Sequence, residues 1–176
     1  MAHLRTLRWP ADREALRSLD ISFTTERIYE VRASDVAFTL VETPVAPPRH
    51  KAYGDASEID SLSTCDYVVV AEIDEILVGV AALRVEEWNR RAALRHIYVD
   101  AAYRGHGIGR TLIEDVVRVG RERQARCLWL DTQNINYPAI QFYLRLGFQL
   151  CGLDTTFYDS QESLAGEVAI FFAYQL

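Results

Sequence analysis

Two spacings of apolar residues alternate along the chain. From Tyr67 to Ile73 and from Leu77 to Leu83 the residues are mostly apolar and rich in strand formers, with the polar pair Asp74-Glu75 between them. That arrangement predicts an antiparallel hairpin. Ala92–Val99 predicts the next strand. Beyond it the spacing changes: Ile108, Leu112 and Val116 recur every four residues, as do Gly109, Ile113 and Val117, which predicts a helix with a broad apolar face. Cys127–Leu130 then predicts a short strand, Pro138–Leu146 a helix stopped by Gly147, and Phe148–Leu153 and Val168–Tyr174 two further strands. Nearer the start, Ala11 to Leu19 predicts a short helix and Val36–Val41 a strand. The proline cluster from Pro44 to Arg49 predicts an extended loop within the domain. A hairpin followed by a strand–helix–strand unit predicts a three-layer α/β or α+β domain around a mixed sheet.

Composition keeps this picture to one domain. A chain of 176 residues with 49% apolar and 25% charged residues is expected to fold as a single globular unit over 1–176. Its longest apolar runs, Tyr67–Ala71 and Ala169–Ala173, are far short of the roughly 18–20 residues needed to cross a bilayer. Met1-Ala2-His3-Leu4-Arg5 opens no export signal, so no membrane partner and a cytoplasmic location are expected. Cys65, Cys127 and Cys151 are odd in number and distant from histidines, which argues against a disulfide framework or a bound metal. Net charge of −6 argues against nucleic acid as a partner. The charge is uneven, however. Seven acidic residues and no Lys or Arg lie between Ala52 and Leu83, and ten arginines lie between Arg84 and Arg126. One reading is an ordinary solvated surface; the other is an anionic ligand at the basic half and a cationic one approaching across the acidic half.

The candidate chemistry begins at Arg104-Gly105-His106-Gly107-Ile108-Gly109, where three alternate glycines join a predicted strand to a predicted helix. Glycine permits backbone angles closed to other residues, and successive N–H groups can then converge on one anion at the positive end of a helix dipole. A tight strand-to-helix turn needs glycine for packing alone, so the turn by itself leaves both readings open. Arg110 stands where a dinucleotide fingerprint would need glycine, and no Gly-Lys-Ser/Thr follows for a P-loop.

These residues resemble the Arg/Gln-x-x-Gly-x-Gly/Ala cofactor motif of the GNAT acetyltransferase superfamily, and Ile97-Tyr98-Val99-Asp100 resembles that family's fourth strand. Asn136-Tyr137-Pro138-Ala139-Ile140-Gln141-Phe142-Tyr143, followed by Gly147-Phe148, resembles a second segment of the same family. Taken alone, Asn136 would suit a helix cap and Tyr143 a buried aromatic. The resemblance implies a GNAT fold: a mixed, mostly antiparallel twisted sheet flanked by helices and splayed between its fourth and fifth strands, here Ile97–Val99 and Cys127–Leu130. It implies acetyl-CoA as donor, with its pantetheine arm added to the open strand edge. The implied cofactor contacts are Ile97, Tyr98, Val99, the amides of Arg104, Gly105, His106, Gly107, Ile108, Gly109 and Arg110, and Asn136.

Direct transfer to an amine needs a neutral nucleophile, a stabilised oxyanion and a proton for the departing thiolate. The implied acid is Tyr143: a phenol of pKa about 10 lies close enough to a thiol of about 8.5 to donate without large tuning. An alkylamine of pKa about 10.4 is neutral only about one part in a thousand near pH 7.4, so a base is required. His96 is the candidate, although adjacent strand residues point opposite ways and Arg95 and His96 cannot share one face.

Beyond these motifs, Trp88-Asn89-Arg90, Asp131-Thr132-Gln133-Asn134, Asp154-Thr155 with Tyr158, Ala169-Ile170-Phe171-Phe172, Phe38-Thr39 and Glu42 with Pro44 resemble streptothricin N-acetyltransferases. This implies a small polycationic amine as acceptor, with Asp131, Asp154 and Glu42 as its carboxylate contacts. Each also has a simpler use, in a turn, a strand end or solvent. The chain departs from that group at Arg95-His96, where those enzymes carry a Glu-Asp pair. Two other readings stay open: acetylation of a protein N-terminus, polyamine or aminoglycoside, and a non-catalytic acetyl-CoA-binding regulator. A homodimer is compatible with the sequence but not required by it.

Overall fold

The computed structural model describes residues 2–53, 56–159 and 166–176; Asp55, counted in the acidic segment, lies outside them. Its strands are β1 (His3–Thr6), β2 (Phe23–Ser34), β3 (Ala37–Lys51), β4 (Tyr67–Ile73), β5 (Ile76–Glu86), β6 (Arg91–Val99), β7 (Cys127–Gln133), β8 (Gln149–Asp154) and β9 (Ala169–Gln175). The helices are α1 (Arg13–Arg17), α2 (Ala56–Ser61), α3 (Ile108–Glu122) and α4 (Tyr137–Arg145). Seven strands follow the order β1-β4-β5-β6-β7-β9-β8, and β2 with β3 forms a separate ribbon. The β1–β4, β4–β5, β5–β6 and β8–β9 pairs are antiparallel and β6–β7 is parallel, giving the mixed sheet expected of the α/β class. The chain divides into two compact units, one of Met1–Ser22, Ala52–Trp129 and Gln175–Leu176, the other of Phe23–Lys51 and Leu130–Tyr174.

In the first unit, β4 and β5 are buried over most of their length, which explains why they lack polar alternation. The turn between them holds Asp74 and Glu75 at φ of 49° and 66°, the left-handed pair of a two-residue hairpin. One sheet face packs Val68, Val70, Val80 and Ala82 against Leu16 of α1 and Ile59 of α2. The opposite face receives α3: a Cβ placed on Gly79 would meet Leu112 Cδ1 at 3.3 Å and Ile108 Cγ2 at 3.5 Å. The four-residue apolar repeat is therefore the buried stripe of α3, with Ile108, Leu112 and Val116 all buried.

In the second unit, the proline cluster departs from expectation. Instead of a loop, β3 continues to Lys51, pairing Pro44 with Arg27 and Arg49 with Thr25. Val45, Ala46, Pro47 and Pro48 thus lie opposite the single residue Glu26 as a bulge. A two-stranded ribbon leaves one edge of each strand unpaired, so prolines lacking N–H groups are tolerated at that edge or in a bulge. Helix α4 opens at Asn136, whose side-chain oxygen accepts from the Ala139 N–H at 3.2 Å. It closes before Gly147, at φ 91°.

Gly79 is the tightest point of the α3 face, because a Cβ there would also lie 2.9 Å from the Tyr98 carbonyl oxygen. Gly79→Ala is expected to cost about 1–3 kcal/mol in urea unfolding. At Gly120 the conflict is with the Leu176 side chain, at 2.8 Å. That group can turn aside, so Gly120→Ala should be neutral or stabilising by up to about 1 kcal/mol. Equal losses at the two sites would contradict this packing.

Candidate active site

The site is built from the edge of β6. Parallel pairing with β7 joins Arg91 to Cys127, Ala92 to Leu128 and Ala93 to Trp129, and the Arg91 guanidinium lies 4.8 Å from the centre of the Trp129 ring. Trp129 is the last β7 residue of the first unit, and β6 runs on to Val99. On the other side its pairing with β5 continues through Gly79↔Val99. The Asp100 N–H donates to Val78 O at 2.9 Å, which fixes the alternation. Tyr98 and His96 direct their amides to β5, and Ile97 and Val99 direct theirs to the opposite edge.

The turn that follows is braced by one side chain. Arg104 donates from Nε to Val99 O (2.9 Å), from Nη1 to Ser22 O (2.6 Å) and from Nη2 to Asp20 O (3.3 Å). Asp100 accepts from the Ala102 and Asp20 amides, both at 2.9 Å. Gly105 and Gly107 take φ of 82° and 83°, and a Cβ on either would have no neighbour within 4 Å. These glycines are required by backbone angle, and their outer side is open. The first hydrogen bond inside α3 runs from the Thr111 N–H to Gly107 O at 3.1 Å, so the amides of Ile108, Gly109 and Arg110 have no acceptor within the helix. Amides at a left-handed turn and helix start, with no side chain over them, fit a pyrophosphate. His106 donates from Nδ1 to Tyr103 O at 3.2 Å.

His96 is turned toward α2. Its Nε2 lies 2.9 Å from Ser61 Oγ and its Nδ1 lies 3.1 Å from Tyr98 Oη, and the Tyr98 hydroxyl donates in turn to a Glu58 carboxylate oxygen. Burial pushes the imidazole below its ordinary value; Glu58 opposes this and Arg95 adds to it. Arg95 is exposed and lies at the register shift between the His96–Ala82 and Leu94–Leu83 pairs. Tyr98, expected among the cofactor contacts, directs its amide to β5 and its phenol to Glu58, because the strand pleat puts it on the α2 face.

In the second unit, Tyr143 is buried among the rings of Phe142, Phe148 and Phe172, with centroids 5.4, 5.6 and 6.2 Å away. Burial, reinforced by the Asp131 carboxylate, pushes its phenol well above the ordinary tyrosine value. The untuned acidity expected from sequence is corrected by this: the hydroxyl keeps its proton and is a weaker acid. Asp131 also accepts from the Tyr158 hydroxyl at 3.4 Å. Asp154 accepts from Thr156 N–H (2.7 Å) and Oγ1 (2.8 Å), bonds that hold it below the usual carboxylate range. Glu42 is ion-paired with Arg27, beside the Tyr29–Tyr137 stack. Asp131 is thus grouped with Tyr143, whereas Asp154 and Glu42 have local partners.

Residues 30–148 match the acetyltransferase (GNAT) family. The chain belongs to that family. It is an acetyl-CoA-dependent N-acetyltransferase. Among its relatives, the streptothricin acetyltransferase of Streptomyces lavendulae is 38% identical over 92% of this chain and 89% of its own. That of Escherichia coli is 34% identical over 85% of this chain and 83% of its own. A crystal structure of nourseothricin acetyltransferase superposes with a TM-score of 0.89 at 40% identity, covering 99% of this acetyltransferase and 98% of its own chain. A candidate streptothricin acetyltransferase of Bacillus anthracis str. Ames, solved with acetyl coenzyme A, gives a TM-score of 0.84 at 25% identity over the whole of both chains.

Sequence reasoning missed Glu58 and Ser61 of this acetyltransferase. Their three-residue spacing on α2 and the two-residue spacing of His96 and Tyr98 on β6 each imply one face, but nothing in the sequence pairs α2 with β6. Arg104 offers the direct test of the turn. Arg104→Lys cannot hold three carbonyls as a planar fork does. It should weaken acetyl-CoA binding about tenfold by calorimetry, roughly 1.4 kcal/mol, and unchanged affinity would show that the turn needs no brace.

Proposed function

We propose that this acetyltransferase transfers the acetyl group to a primary amine of a small polycationic acceptor, the β-lysine amine of streptothricin, by direct attack in a ternary complex. The observation that carries this reading is 38% identity to the Streptomyces lavendulae streptothricin acetyltransferase across 92% of the chain. In this account the amides of Arg104 to Arg110 hold the pyrophosphate and the Ile97 and Val99 amides pair with the pantetheine and thioester region. The Val99 N–H steadies the oxyanion. Asn136 contacts the pantetheine. Tyr143 donates a proton to the departing thiolate; in its apolar surroundings the thiolate is desolvated too, so its basicity rises with that of the phenol. His96 accepts the proton of the amine. Asp131, Asp154 and Glu42 face the acceptor's cationic groups, with Asp131 of most weight because it already lies near Tyr143.

A second reading, an amine outside the streptothricin class, is favoured by Arg95-His96, a change of charge from the Glu-Asp pair that the resemblance implies. Release of free thiol from acetyl-CoA with streptothricin, polyamines, aminoglycosides and short peptides separates the two. The proposal expects streptothricin to be the best acceptor by kcat/KM, and turnover of peptides without streptothricin would overturn it. Tyr143→Phe is expected to lower kcat about 10²-fold or more with acetyl-CoA affinity little changed. Unaltered turnover in that variant would remove Tyr143 as the acid.

A further inference from the structure

The hydrogens around His96 can be counted. Ser61 has one hydroxyl hydrogen, and it is donated to Glu58 O at 2.7 Å. Tyr98 also has one, donated to the Glu58 carboxylate. The contacts of His96 Nε2 with Ser61 Oγ at 2.9 Å and of Nδ1 with Tyr98 Oη at 3.1 Å are then both made by imidazole N–H groups. With both hydroxyls so turned His96 carries two ring protons, with Glu58 as its counter-charge; a turn of either hydroxyl to the ring completes the network with one. Burial favours the neutral ring. With one ring proton lost from Nδ1, the matching rearrangement is a turn of the Tyr98 hydroxyl from Glu58 to Nδ1. The network therefore has a proton-loaded and a proton-empty form related by one hydroxyl rotation.

Its position bears on the reaction. Tyr98 directly precedes Val99, whose amide faces the edge of β6 away from β5, and the Tyr98 ring stands on the face carrying His96. The charged groups that reach His96 are Glu58 from α2 and Arg95 from β6 itself. Ser61 and Tyr98 supply hydroxyls, and the residue paired with His96 on β5 is the apolar Ala82.

We propose that Tyr98, His96 and Glu58 form the proton-accepting relay of acetyl transfer, with Tyr98 meeting the acceptor amine and His96 storing its proton. The proposal rests on the acetyltransferase reading above and deepens it. An N–H bond of the ammonium breaks as a new O–H bond forms on Tyr98, while the former Tyr98 hydrogen moves to Nδ1. The amine is left neutral with its lone pair free to attack, and the imidazolium carries the charge. Tyr98 then donates its new hydrogen to Glu58, which is the loaded form just described. Glu58 is a positioning residue: it acts through Tyr98 and through its charge on His96.

The test combines pH–rate profiles with NMR titration of His96 in the wild type and in Glu58→Gln, Tyr98→Phe and His96→Gln, the last also assigning the resonance. Wild-type kcat/KM should fall on the acid side with the same midpoint as the His96 titration, because the loaded relay accepts no further proton. Glu58→Gln removes the charge that raises the His96 value, so both midpoints should move together to lower pH. Tyr98→Phe should lower plateau kcat/KM about 10²-fold with the KM for acetyl-CoA unchanged. An acid limb that stays in place while the His96 midpoint moves, a His96 midpoint unmoved in Glu58→Gln, or full turnover in Tyr98→Phe would each overturn the relay. Absence of wild-type turnover on every amine would instead overturn the functional reading beneath it.

Discussion

The backbone alternation of β6 is the constraint on which the site depends. Backbone donors in a sheet interior are nearly always paired, because leaving one without a partner costs about as much as a lost hydrogen bond. Beyond its pairs with Cys127, Leu128 and Trp129 of β7, β6 continues to Val99 in register with β5. Ile97 and Val99 direct their amides to the edge away from β5. An extended chain with carbonyls at strand spacing satisfies them, as the pantetheine arm of acetyl-CoA does in the proposed complex. Arg104 completes the arrangement by holding Val99 O and tying the glycine turn to Asp20 and Ser22.

Around this edge much of the charge is locally compensated. Asp60 is paired with Arg13 and Glu72 with Arg5, so two members of the acidic segment are already matched. Asp115 and Glu122 on α3 both hold Arg118. The uneven charge along the sequence is therefore reduced in the fold, which weakens the picture of one basic and one acidic half. Asp131 and Glu58 instead accept from the phenols of Tyr158 and Tyr98.

Much of the fold was legible because local rules were obeyed. The apolar runs, the Asp74-Glu75 turn, the four-residue stripe of α3 and the stop at Gly147 each follow from neighbouring residues. The glycine turn was legible for the same reason, since two positive φ angles before a helix leave little choice but glycine. The proline segment was misjudged because the rule excluding proline applies to interior strands, and no local signal distinguishes a ribbon edge from a loop. The raised value of Tyr143 and the partners of His96 were hidden for another reason: both depend on residues brought together from distant parts of the chain. Asp131 lies on the strand before the helix of Tyr143, and two strands lie between Glu58 and Tyr98.

The central claim, that the edge of β6 away from β5 receives acetyl-CoA, is testable at consecutive amides by hydrogen exchange with and without the ligand. The Tyr98 amide, bonded to β5, should be protected in both states, whereas those of Ile97 and Val99 should exchange readily in the free protein and slow by at least about tenfold when acetyl-CoA is bound. Slowing at Tyr98 alone, or no change at Ile97 and Val99 under saturating ligand, would contradict the account.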